Sequence, residues 1–143
     1  MRRLGTITTA LIYLQIVFGA VLRHTGERLD AHLLLAALVA LHAVSLLVRI
    51  TKDHGDQTML VRPAIFLGIL LLIQLLLGAG SYFGKYTAML GLPTGGVVFI
   101  TTMHLITGAL MLVTSLAITL RAYRFSKVAP APAVKILAER YSV

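Results

Sequence analysis

Four apolar runs divide the chain, over residues 4–22, 31–48, 64–83 and 97–120, and polar or charged stretches separate them. The last run holds 24 residues without a formal charge, and the others are of nearly spanning length. Such a run crosses a hydrocarbon core of about 30 Å as a helix of about 20 residues, because the helix satisfies all its own backbone hydrogen bonds. The pattern therefore predicts an all-α integral membrane protein, a bundle of four transmembrane helices made of two helical hairpins. Its polar stretches predict an outer loop over 27–30 with Asp30 as helix N-cap. They also predict an inner loop over 50–62, with Pro63 in the first turn of the third helix, and a glycine-rich irregular loop over 84–96.

The polar residues give the bundle a direction. With the N-terminus inside, the inner side carries Arg2, Arg3, Arg49, Lys52, Arg62, Arg121, Arg124, Lys127, Lys135 and Arg140, and the outer side only Arg23, Arg28 and Lys85. Ten against three is the positive-inside bias, so both termini are expected in the cytoplasm. The net charge of +8 is thus topological and indicates anionic membrane lipid as its counterpart, with no nucleic acid. The first run is longer than a secretory h-region and no small-residue cleavage site precedes Arg23, so it reads as a span and not as a cleaved leader. Residues 1–124 form the expected transmembrane domain. Residues 125–143 form a basic cytoplasmic tail with an Ala-Pro spacer and a short amphipathic helix over 133–141.

Composition narrows the chemistry. Hydrophobic residues make up 58% and charged residues 13%, against about 25% charged in soluble domains. There is no cysteine, which removes disulfides, thiolate nucleophiles, iron–sulfur ligation and covalent c-type heme attachment. What remains inside the spans is histidine, and ionisable groups at membrane depth usually face a bundle interior and mark a functional site.

Depth chooses among the histidines. The second run is centred between Val39 and Ala40 and the fourth between Gly108 and Ala109. At about 1.5 Å per residue, His32 and His104 differ by about 5 Å in depth, while His42 lies about 10 Å deeper than His104 and about 80° around the helix from His32. Two axial imidazoles on one heme iron must face each other at one level, so His32 and His104 are the expected metal ligands. His42 is expected to make a polar contact with Ser45 or a carbonyl. Ala36 and Gly108 follow the two histidines by one turn, and Gly108 is expected to make room for a porphyrin. Gly19, Ala20, Gly78, Ala79 and Gly80 thin the first and third helices in the same outer half, a pattern that close helix packing alone also explains. Arg23, His24 and Lys85 lie at the outer interface, where they could pair with heme propionates. His54 sits with Asp53 and Asp56 in a solvated loop that offers too few ligands for a metal.

The hairpins look duplicated. Gln15 and Gly19-Ala20 recur as Gln74 and Gly78-Ala79 at an offset of 59, and His32-Leu33 recurs as His104-Leu105 at an offset of 72. Such a repeat relates the hairpins by a two-fold axis along the membrane normal and sets the two histidines opposite each other.

The set Gln15-x-x-x-Gly19-Ala20-x-x-Arg23-His24-Thr25, a histidine at the start of the next helix and His104 at the start of the fourth resembles one half of a heme A synthase. That family includes the cytochrome oxidase assembly proteins of mitochondria and is built from two similar four-helix halves. The resemblance covers roughly residues 5–124. It implies heme between His32 and His104, heme B as resident cofactor, heme O or heme A as substrate or product, and a role in heme A formation. This chain spans one half only, lacks the outer-loop cysteine pair, and has Leu29 where the substrate-binding half has a glutamate. It therefore looks more like the cofactor half, with any catalysis in a homo-oligomer or a larger membrane redox complex. A bis-histidine b-type electron carrier of a respiratory or photosynthetic complex, and a heme-free membrane scaffold, are the other readings. The expected location for all three is the cytoplasmic membrane of a prokaryote, as a multi-pass protein.

Overall fold

The computed structural model describes residues 1–87 and 90–125, Phe125 by its backbone alone. The tail over 126–143, with the helix expected over 133–141, lies outside the described residues. Four helices follow one another: α1 Arg2–Thr25, α2 Leu29–Asp53, α3 Thr58–Tyr82 and α4 Thr94–Phe125. All four are long and apolar enough to cross a membrane, and there is no strand among the described residues. Each helix packs on its chain neighbours and α1 closes on α4, so α2 and α4 stand across the bundle from each other.

The helix ends differ from the sequence expectation, for identifiable reasons. Gly26 takes a left-handed φ of 75° and its N–H bonds to the Leu22 carbonyl, which ends α1. The Thr25 hydroxyl donates to the Val21 carbonyl and accepts from the Glu27 N–H, so the turn is already closed before Asp30. The residue in the N-cap position of α2 is Arg28, with φ 66° and no side-chain cap, and Asp30 stands within the first helical turn rather than capping it. The expected inner loop over 50–62 shrinks to residues 54–57, because both helices run on past their apolar spans. An exposed Arg49–Asp53 pair at 3.4 Å sits on the extra turn of α2.

Pro63 accordingly lies inside α3 and not in its first turn. A proline there cannot donate to the carbonyl four residues back, which belongs to Met59. Arg121 of α4 takes that freed acceptor, its Nη1 donating to the Met59 oxygen at 2.6 Å. The two residues are therefore expected to be coupled. Arg121→Ala should cost about 1 kcal/mol in wild-type background and measurably less after Pro63→Ala, which restores the backbone N–H. A double-mutant cycle on thermal unfolding in detergent reads this, and equal losses in both backgrounds would refute the coupling. In the expected loop over 84–96, residues Phe83–Thr87 form a π-helical turn on the end of α3 and α4 begins at Thr94.

The core is one-sided. Ile12, Val39, Leu46, Ile50, Leu60, Leu67, Leu71, Met111 and Ile118 are buried, and they occupy the half of the bundle that carries the N-terminus and the end of α4. Among the described residues, no buried apolar side chain lies on the loop side of Ile12, Val39, Leu71 and Met111. Along the spans the exterior carries many exposed apolar side chains. Leu34, Leu41, Leu76, Phe99 and Val113 are between 62% and 66% exposed, a surface that suits lipid and not water.

The hairpin repeat persists in the packing between hairpins. On the α1–α4 seam, the Thr9 hydroxyl meets that of Thr119 at 3.1 Å, and Gly5 lets Thr119 approach so closely that a Cβ there would stand 2.9 Å from its Oγ1. The equivalent register on the α3–α2 seam brings Gly68 against Leu47, where a Cβ would stand 3.0 Å from Cδ2. One seam is lined with hydroxyls and the other with hydrocarbon, in the same register.

Candidate functional site

Where the core stops, the two histidines meet. His32 on α2 and His104 on α4 face each other across the bundle, with ring centres 6.4 Å apart and ring planes at 70°. The residues expected to share one level are thus brought together.

Each imidazole is held by the neighbouring helix of its own hairpin. Gln15 Nε2 donates to His32 Nε2 at 3.3 Å, and Gln74 Nε2 donates to His104 Nε2 at the same distance. With the amides so oriented, each Nε2 presents its lone pair and each Nδ1 carries the proton. One turn beyond each glutamine, a glycine forms the wall behind the ring. A Cβ on Gly19 would stand 3.1 Å from Cε1 and 3.6 Å from Nδ1 of His32, and a Cβ on Gly78 would stand at the same distances from His104. The offsets of 59 and 72 in the sequence are therefore one structural unit used twice: glutamine, glycine one turn later, histidine on the next helix. Both Nδ1 atoms and both glutamine Oε1 atoms are buried without a hydrogen-bond partner among the described residues.

The glutamines hold both rings, a contact the sequence did not disclose. They marked the repeat, but their spacing alone does not say what they touch. Gly108 lies against the amide that holds His104: a Cβ there would stand 3.2 Å from Gln74 Nε2. Gly19 and Gly78 make room for the imidazoles themselves. Ala36 is half-buried one turn along α2 from His32. Ala20 and Ala79 are exposed, so the bundle interior does not use them, and Gly80 packs against Ile100.

The remaining candidates lie elsewhere. His42 Nδ1 bonds to the Leu38 carbonyl of its own helix at 2.8 Å, as expected for a polar contact. Arg23 and His24 are exposed in the last turn of α1, and Lys85 lies over the Tyr86 ring at 5.3 Å. His54 ends α2. Among the described residues no group of three or more His, Cys, Asp or Glu side chains could hold a metal ion, so His32 and His104 stand as a pair.

The pair has the dimensions of a two-sided metal site. An imidazole nitrogen lies about 1.1 Å from its ring centre and about 2.0 Å from a metal it binds, so two imidazoles on opposite sides of one ion hold their centres about 6 Å apart. The observed 6.4 Å fits that spacing, and rotation about a metal–nitrogen bond accommodates the angle between the planes. Two ligands do not complete a protein-bound zinc site, which takes four or keeps three plus water.

No family model, no curated protein and no solved structure matches this chain.

Proposed function

We propose that this chain is a heme-binding membrane protein, with His32 and His104 as the two axial ligands of a b-type heme. The observation that carries the reading is the 6.4 Å separation of two imidazoles at the level where the bundle loses its apolar core. A bound heme supplies one-electron redox chemistry at a potential set by its axial ligands and their surroundings. The chain's own contributions are positional. Gly19 and Gly78 let α1 and α3 close on the rings from behind. The apolar exterior keeps water from the pair when lipid surrounds the bundle. Arg23 and His24, at the loop end of α1, are the groups available to carboxylates near that surface. We place both termini in the cytoplasm of a prokaryotic cell, from the charge bias of the loops.

The resemblance to one half of a heme A synthase, together with the repeated Gln–Gly–His unit, supports a role as the cofactor half of an enzyme forming heme A, completed by a second copy or by a partner in a membrane redox complex. A second reading is a bis-histidine electron-transfer subunit. The presence of two facing ligands favours it, since oxygen chemistry at the iron needs an open axial position. A reduced-minus-oxidised absorption spectrum of gently solubilised protein, with pyridine extraction, tests both. A b-type signature with heme B alone is the expected result for a cofactor half or a carrier. Heme O or heme A in the extract would assign heme A synthesis, and folded protein without heme would overturn the ligand reading.

A further inference from the structure

The two glutamines sit where the ligand of the histidines has to arrive. Each histidine has one ring edge closed. The Cε1–Nδ1 edge of His32 is buried against the backbone of α1 at Gly19, where an added Cβ would stand 3.1 Å from Cε1, and that of His104 lies likewise against Gly78. A metal ion at Nδ1 would meet the α1 or α3 backbone. The other nitrogen is Nε2, which carries the lone pair when the amide nitrogen donates to it and is already engaged, by Gln15 in one hairpin and Gln74 in the other. A single lone pair serves one partner at a time, an N–H or a metal.

We infer that Gln15 and Gln74 are displaceable placeholders: in the ligand-free bundle they hold the two Nε2 lone pairs in position, and each amide leaves its histidine when a heme iron takes that nitrogen. The inference rests on the heme reading and adds to it a defined rearrangement on loading. The amides have somewhere to be before loading because Gly108 leaves space beside Gln74, with a would-be Cβ 3.2 Å from Nε2. Placeholding accounts for two features together. The glutamine recurs with its histidine in both hairpins at identical distance, and among the described residues its buried amide oxygen has no partner, so the bond to the histidine is the amide's one hydrogen bond there. Such a contact is strong enough to fix a ring and weak enough to yield to a coordinate bond.

The test is hemin titration of heme-free full-length protein in lipid nanodiscs, followed by stopped-flow absorbance of the low-spin band. Removing the competitor should raise the affinity or association rate about two- to tenfold for Gln15→Ala and for Gln74→Ala, and further for the double variant. In the imidazole 15N spectrum of the heme-free protein, each substitution should shift the Nε2 signal of its own histidine alone. Gly108→Ala keeps the amide but crowds it, and should speed loading while shifting the His104 signal only. Variants that stay folded and load no faster than wild type, or that load more weakly, would overturn placeholding. Wild-type protein that takes up no hemin would instead remove the heme reading itself, and the placeholder role with it.

Discussion

If the chain binds heme as proposed, replacing either His32 or His104 with alanine should abolish a six-coordinate low-spin heme spectrum, while His42→Ala should leave it in place. The two facing rings are the only imidazoles so arranged among the described residues, and the described residues offer no third protein ligand beside them. Loss of one ring leaves a five-coordinate heme at best, so the expected change is a conversion of spin state as well as a fall in retention. His42 is a clean control because its Nδ1 is engaged with the Leu38 carbonyl on the same helix. Visible spectra of purified variants, normalised to protein, decide the matter. Heme lost in His42→Ala and kept in His32→Ala would show that the wrong pair had been identified.

The second large effect is expected at glycines. Gly19→Leu and Gly78→Leu should each drive the neighbouring imidazole out of place and eliminate low-spin heme from otherwise expressed protein. A Cβ alone would approach His32 or His104 to 3.1 Å, and a leucine side chain adds three more carbons beyond it. Overpacking of this kind costs about 1–3 kcal/mol, so the bundle should survive with a lowered melting temperature while the site does not. The two substitutions should act alike, since the two half-sites have the same distances. Gly95→Leu is the matched control, because nothing lies within 4 Å of a Cβ there. Heme retention measured on all three variants would refute the wall role if Gly19→Leu behaved like Gly95→Leu.

How much of this could be read from the chain depends on which force set each feature. The four helices were legible because hydrocarbon burial and backbone satisfaction leave a long, continuous signature. The pairing of His32 with His104 was legible because depth follows from residue count, and the rings indeed lie 6.4 Å apart. Helix ends were less legible. Polar residues there extend a helix as readily as they end it, so Pro63 fell inside α3 and Asp30 inside the first turn of α2. Contacts set by side-chain reach across the bundle left no trace in the sequence. Nothing in the order of residues joins Met59 to Arg121, 62 positions away, or sets Gly108 beside the Gln74 amide.

The duplicated hairpin has a thermodynamic consequence. Each hairpin contributes one imidazole with its glutamine and glycine, so neither hairpin holds a complete site and the 6.4 Å gap lies on the boundary between them. A ligand that bonds both rings is then a clasp between two half-molecules. Its binding free energy adds to the affinity of one hairpin for the other, which the polar α1–α4 seam and the apolar α2–α3 seam otherwise supply alone. A chain cut within residues 54–57 would fall under mass action, with its two halves staying together in proportion to the free ligand present.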